Sequence, residues 1–319
     1  MTDEGHIEGY DPDESTAEAV FSILGNETRL SILLSLWEAE ETPLSFSALE
    51  DRIGSPDRGN FNYHLSQLTD RFVRSREAGY DLAEPGRQVA RAVLSGIMVN
   101  DVTLDGTAID DQCPYCGGTV ELAYENDVLS ARCTECVGVV GAPDTFPVGT
   151  YLHFGFPPAG LTDRSPREIL EAAHVFYDSK ITPMIKGVCP ECAGQVESCV
   201  DVCRDHDGGP DRLCPDCETI YRCWVQWDCT HCGYARRSPI WFSVMNHPIV
   251  IAFYAESGVF EESVPFSKLT RENIGYTARI DERVRSEEPL RLEITIPYED
   301  RELVVVVDEN QRIVDSTRR

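Results

Sequence analysis

The chain has 319 residues, enough for two or more domains, and sets 55 acidic side chains against 28 basic ones for a net charge of −27. With only three lysines (Lys180, Lys186 and Lys268), such a surface fits a cytoplasm at molar salt, where self-repulsion is screened beyond roughly 3 Å. A halophilic source is therefore expected, and the acidity does not argue against a polyanionic partner. No apolar run approaches the ~20 residues of a membrane span, and the acidic start has no signal-peptide pattern. The expected location is cytoplasmic, with no membrane partner. Thirteen cysteines, set mainly as Cys-x-x-Cys, suit metal in a reducing compartment rather than disulfides.

In chain order, residues 1–13 read as a disordered acidic tail. Ser15-Thr16-Ala17-Glu18 is a capping-box pattern opening a helix with Ala17, Val20, Phe21 and Leu24 on its apolar side. Gly25 ends it, and Asn26 caps a second helix carrying Leu30, Leu33, Leu34 and Trp37. Leu44-Ser45 begins a third, through Leu49 and Ile53. Ser55 and Pro56 suit the N-cap and first position of a fourth, in which Phe61, Leu65, Leu68 and Phe72 make one buried stripe. Asn60, Asn62, Tyr63, Ser66 and Gln67 fall on the other side, with no carboxylate among them. Amides can bond the N6/N7 edge of adenine, and a helix fits the major groove, so this is read as a recognition helix. Residues 74–82 alternate about an Ala78-Gly79 turn, as a two-stranded wing with Arg74 and Arg76 at its base, and Gly86 to Leu94 reads as a closing helix.

This order resembles the ArsR-type winged helix-turn-helix family over about residues 14 to 97. The matching motifs are Leu24-Gly25-Asn26-Glu27-Thr28-Arg29-Leu30-Ser31-Ile32-Leu33 and Asn62-Tyr63-His64-Leu65-Ser66-Gln67-Leu68. The resemblance implies a DNA-binding domain. Metal-sensing members carry Cys or His ligands inside that domain. This stretch has no Cys, and its one His, His64, reads as a packing or phosphate-contacting residue, so metal sensing is not carried over.

Residues 101–111 read as a linker. Cys113-Pro114-Tyr115-Cys116 and Cys133-Thr134-Glu135-Cys136 then stand sixteen residues apart, with two alternating stretches between them. That is the pattern of a zinc ribbon with four thiolates, closed to substrate and structural. A redox use of Cys-x-x-Cys has no βαβ context here. Residues 145–162 read as extended with turns, and Ser165-Pro166-Arg167-Glu168 starts a helix with Ile169, Leu170, Ala173, Phe176 and Tyr177 on its apolar side. Its packing partner, the ribbons or a second subunit, stays open.

Cys189-Pro190-Glu191-Cys192 and Cys229-Thr230-His231-Cys232 are thirty-six residues apart, with Cys203, His206, Cys214 and Cys217 in the insert. Nested sites are preferred: an outer one from Cys189, Cys192, Cys229 and Cys232, an inner one from Cys203, His206, Cys214 and Cys217. A rival pairs Cys189 and Cys192 with Cys214 and Cys217. Cys199 and Cys223 would be left over as buried, inert strand residues. Beyond them a helix is expected from Pro248 to Glu256, a shorter one near residues 267–274, and then four alternating or β-branched stretches forming an antiparallel meander packed on the helix.

The expected whole is an α+β multidomain chain. After the tail come a winged helix-turn-helix at 14–100, a first zinc ribbon at 101–145 and a connector with a helix at 146–186. A second Cys-rich zinc module at 187–235 and a C-terminal α+β region with antiparallel strands at 236–319 follow. No catalytic constellation stands out; His153, His174 and His247 each stand alone. The expected function is a dimeric DNA-binding regulator holding two or three structural Zn2+ ions. Asn60, Asn62, Tyr63, Ser66 and Gln67 would lie on the groove-facing side, with Arg58, Arg74 and Arg76 on phosphates or the adjoining groove. The alternative rests on a likeness to archaeal transcription factor E, which combines a winged helix with a zinc ribbon and binds RNA polymerase without reading an operator.

Overall fold

A computed structural model of the chain describes residues 14–55, 57–97, 102–141, 146–257 and 280–319. The expected tail at 1–13 and the short helix near 267–274 lie outside them. The chain divides between residues 100 and 101 into two units.

The first unit runs α1 (Glu14–Leu24), α2 (Glu27–Trp37), α3 (Phe46–Ile53), α4 (Arg58–Leu68), β1 (Val73–Arg76), β2 (Gly79–Leu82) and α5 (Glu84–Leu94). Caps set the helix starts: the Asn26 side chain accepts from the Arg29 N–H, and Ser45 accepts from Ala48. Ile32, Leu33, Leu36, Leu49, Phe61, Leu65 and Leu68 form the core. Two expected stripes are rotated. On α1, Phe21 is 69% exposed, and Ile23 packs inward beside Val20 and Leu24. On α2, Ile32 and Leu36 are buried with Leu33, while Trp37 lies outside under the Arg91 guanidinium. Both helices carry adjacent apolar residues in their second halves, Val20-Phe21 and Ile23-Leu24 on α1 and Ile32-Leu33-Leu34 and Leu36-Trp37 on α2, so periodicity alone did not fix the inward face.

Helix α4 starts two residues later than expected. Asp57, not Ser55, is its N-cap, its carboxylate accepting from the N–H groups of Gly59 (2.8 Å) and Asn60 (3.1 Å). A carboxylate satisfies two orphan donors and complements the helix dipole. Replacing Asp57 by Ala should cost about 1 kcal/mol of stability, read from the shift of a chemical denaturation midpoint. The helix ends at Thr69, and Asp70 adopts φ 73, so Phe72 is buried from a turn rather than from the helix. The hairpin turn is Glu77-Ala78, one residue earlier than expected. Gly79 opens β2 because a Cβ there would strike the Leu44 carbonyl, which accepts from the Tyr80 N–H while the Leu44 N–H donates to the Tyr80 carbonyl. Arg76 faces Gly79 across the ladder, which puts it beside the turn rather than at the hairpin's base.

In the second unit, β3 (Leu104–Gln112), β4 (Thr119–Glu125), β5 (Val128–Cys133) and β6 (Thr150–Gly155) form one antiparallel sheet in chain order. The expected linker at 101–111 is thus largely an edge strand. It buries only Ile109, and that polarity made it resemble a connection. The sheet also extends past the expected ribbon boundary at 145 to include β6. Helix α6 (Pro166–Ile185) opens with a full capping box between Ser165 and Glu168. At 20 residues it spans about 30 Å and serves two cores. Ile169, Leu170 and Ala173 pack with Leu122, Leu129 and Phe154 of the first sheet, and Ile181 and Met184 join a second core. Its partner is therefore within this unit.

The second core is built by β7 (Val196–Val202), β8 (Cys223–Cys229) and β9 (Ala235–Pro239), by α7 (Phe242–Met245) and α8 (Pro248–Glu256), and by a meander β10 (Asp281–Glu287), β11 (Leu290–Tyr298), β12 (Arg301–Val307), β13 (Ile313–Arg318). Trp227, Val250, Phe253, Leu292, Ile294 and Val305 meet in one cluster, so the meander packs on α8 as expected. Asp178 of α6 is buried here with Oδ2 unpartnered, and loss of hydration pushes its pKa up to about 8. The folded state holds this proton where the unfolded chain has released it. The contribution is therefore fully present below about pH 4 and is lost as pH rises through about 8. Asp178→Asn is expected to leave the Tm unchanged at acid pH and to raise it by several degrees at pH about 9 in thermal melts.

Candidate metal centres and an exposed helix face

Each Cys-x-x-Cys is a short turn; those at Cys113 and Cys229 connect paired strands, β3 to β4 and β8 to β9. In four of them, beginning at Cys113, Cys189, Cys214 and Cys229, the residue after the second Cys takes a left-handed backbone. Its N–H bonds back to the carbonyl of the first Cys. Gly117 (φ 78) and Gly233 (φ 72) suit that conformation; Ala193 (φ 59) and Glu218 (φ 56) adopt it at a cost of about 1–2 kcal/mol each. Further N–H groups point at sulfur: Tyr115 on Cys113 (3.4 Å), Glu135 on Cys133 (3.3 Å), Glu191 on Cys189 (3.4 Å) and Gly194 on Cys192 (3.3 Å). Such bonds favour thiolate, and with the Cys232 N–H as the largest cause the Cys229 thiol is held down to about 6, whereas loss of hydration pushes the Cys113 and Cys203 thiols up.

Three groups converge, each with its ligand atoms within 4.8 Å of one another: Cys113, Cys116, Cys133 and Cys136; Cys189, Cys192, Cys229 and Cys232; and Cys203, His206, Cys214 and Cys217. Sulfurs stand 3.6 Å apart for Cys113 and Cys136, 3.5 Å for Cys116 and Cys133, 3.7 Å for Cys189 and Cys232, and 3.5 Å for Cys192 and Cys229. A tetrahedral ion with ~2.3 Å bonds to sulfur has edges of about 3.8 Å. The donor sets and their spacing thus fit a closed four-coordinate metal. None of the thirteen cysteines is in a disulfide.

The nested arrangement holds and the rival pairing falls. Strands β7 and β8 pair from Val196↔Cys229 to Val202↔Cys223, bringing the outer knuckles together at one end and presenting the insert at the other. In the inner group Cys203 and Cys214 are 3.9 Å apart, and His206 Nδ1 lies 3.4 Å from the Cys217 sulfur. The other ring nitrogen, Nε2, is 3.2 Å from the Ile220 carbonyl, which orients the ring with Nδ1 toward the thiolates. Cys223 is buried, as expected of a leftover strand residue. Cys199 is exposed, against expectation, because it lies on the solvent side of β7.

The DNA-facing candidates in the first unit are all exposed: Asn60, Asn62, Tyr63, Ser66 and Gln67 on α4, and Arg58, Arg74 and Arg76 around it. Arg58 is paired with Glu50 at 3.1 Å and lies over the Phe46 ring; Arg76 is paired with Asp81 at 2.8 Å. His64 is buried, with Nδ1 3.4 Å from an Arg29 nitrogen. Arg29 also bonds the carbonyls of Ser22 and Ile23, tying the end of α1 to α4. His64 is therefore a packing residue. Sequence reasoning missed Arg29 as a tie; its place in the Glu27-Thr28-Arg29 motif was the available signal.

Residues 110–313, about two thirds of the chain, match the family model described as Domain of unknown function (DUF7351). The chain belongs to this family. The DUF7351 region holds all twelve candidate ligands and falls within the second unit. Residues 17–93, within the first unit, match a separate Domain of unknown function (DUF7347). No curated protein and no solved structure matches. Among the described residues no single helix is long and apolar enough to cross a membrane.

Proposed function

We propose that the chain is a cytoplasmic, DNA-binding transcriptional regulator. Its first unit would be an ArsR-like winged helix-turn-helix reading DNA as a homodimer, and Zn2+ would fill three structural sites. The observation that carries this reading is the α4 face. Five exposed residues there offer amides, a hydroxyl and a phenol, and residues 58–76 hold four arginines against one acidic residue in a chain of net charge −27. A local excess of cations on a surface otherwise dominated by carboxylates is the footprint of a polyanion partner. The hairpin beside α4 adds Arg74, which forms no ion pair among the described residues and so is available to a phosphate. Dimerisation is supported by the exposed Phe21 on α1 and Leu94 on α5, apolar groups suited to a second copy. For the metal, four-thiolate and three-thiolate-one-imidazole sets with tetrahedral edges favour Zn2+ over harder ions.

A second reading, binding of RNA polymerase without an operator, draws on the same exposed Phe21 and Tyr63 as protein-contacting groups. Genome-wide occupancy of the tagged protein in its own host separates the two. Few sharp peaks sharing a two-fold motif are expected; signal spread over most active promoters would replace the regulator with a general factor.

A further inference from the structure

The second unit contains a cavity of about 490 Å3 that neither the metal centres nor the α4 face uses. It falls within the ~300–1,000 Å3 of ordinary small-molecule pockets. Its walls are aromatic: Phe154 from β6, Tyr177 from α6, Trp224 from β8, and Trp241 and Phe242 at the start of α7. These rings hold one another. Trp241 stacks on Phe242 at 4.2 Å between centroids, Tyr177 meets Phe242 edge-on at 5.8 Å, and Phe154 leans on Tyr177 at 5.1 Å. The cavity is thus formed before any ligand arrives.

Beyond Tyr115, Tyr151, Tyr221 and His174, its polar groups are few. Ser238 is bonded to the Tyr177 hydroxyl at 2.5 Å, and Arg237 pairs with Asp201 at 3.0 Å while lying over Trp224. His153 is bonded to Ser130, and partial loss of hydration holds its imidazole below the usual range. Arg236 differs. It is half-buried over the Tyr234 ring at 4.4 Å and gives one hydrogen bond, to the Ala235 carbonyl, while its Nε is buried with no partner. No carboxylate among the described residues pairs with it, in a chain holding 55 of them. A guanidinium cannot shed its charge, and leaving it desolvated and unpaired is costly. A planar anion arriving in the cavity would remove that cost through the guanidinium fork.

We propose that this cavity binds a small aromatic carboxylate, its ring among Tyr177, Trp241 and Phe242 and its carboxylate on Arg236. One fixed cation in an aromatic chamber selects a singly charged, ring-bearing acid over a sugar phosphate or an aliphatic amine. Because the walls come from β6 and α6 on one side and from β8, β9 and α7 on the other, the ligand would join the first sheet to the second core. The inference does not depend on the DNA-binding reading and is tested without DNA.

The test is calorimetric titration of the metal-loaded full chain, in concentrated potassium chloride, with benzoate, phenylacetate and 2-naphthoate, each beside its neutral primary amide. At least one acid is expected to bind one-to-one and about tenfold or more tighter than its amide. Arg236→Gln is expected to erase that difference while leaving amide binding in place and the Tm equal or higher, and Arg237→Gln to preserve it. Should Arg236→Gln fail to fold, Arg236→Lys replaces it: keeping the charge but losing the fork, it should weaken the acid and spare the amide. Equal binding of acid and amide, no binding of any acid, or a preference that survives Arg236→Gln would each overturn the proposal.

Discussion

A Cys229→Ser chain is expected to lose one of three metal equivalents and, with it, the folded core of the second unit. Cys229 closes β8, the strand that carries Val225 and Trp227 into that core, and it is one of four ligands of the outer group. Structural Zn2+ binding is worth about 10–16 kcal/mol in small zinc peptides, against about 5–15 kcal/mol of net stability for a whole domain. Losing the ion there exceeds what the remaining packing offsets. Metal counting by plasma mass spectrometry with near-ultraviolet circular dichroism checks it: about two equivalents and a collapsed aromatic signal are expected. The inner group gives the contrast. Cys203→Ser should also remove one equivalent but leave the aromatic signal largely intact, because the Cys203–Cys217 insert buries little beyond its own ligands. If Cys229→Ser kept three equivalents and its aromatic signal, the outer quartet would be misassigned.

The second large effect concerns DNA. Gln67 projects from the exposed face of α4, and its amide can bond a base edge in two places. Gln67→Ala is expected to cost about 1–3 kcal/mol on the preferred site and to relax preference at one base position. Arg74→Ala should act differently, weakening every sequence about equally and lowering the slope of log affinity against log salt by about one. Binding assays on randomised duplexes over a series of salt concentrations read both. If Gln67→Ala left affinity and preference untouched, the face assigned to DNA would be wrong.

Part of this molecule can be read directly from its residues. Four of the five Cys-x-x-Cys knuckles close through a bond between residues four apart, which needs no tertiary information, whereas the Cys133 knuckle is tied to Thr119 and Gly149 of neighbouring segments. The helix start at Ser165 and the cap at Asn26 are local in the same sense, and each appears as expected. Even the nesting of the second cluster was legible, because pairing β7 with β8 leaves the insert at one end and the outer knuckles at the other.

Other features depended on what lies against them. Phe21 and Ile23 are equally apolar, and only the packed neighbours determine which turns inward. The strand β3 looks like a linker because an edge strand needs one buried side chain, and its ladder bonds leave no mark on side-chain composition. Cys199 and Cys223 sit opposite in burial through the faces of their strands, although both were leftover cysteines in sequence. The aromatic cavity and the unpaired Arg236 arise only when β6, α6, β8 and β9 meet. Sequence sets what is local: turns, caps, ligand spacing and period. Tertiary structure decides burial and pairing, because both are properties of two surfaces in contact.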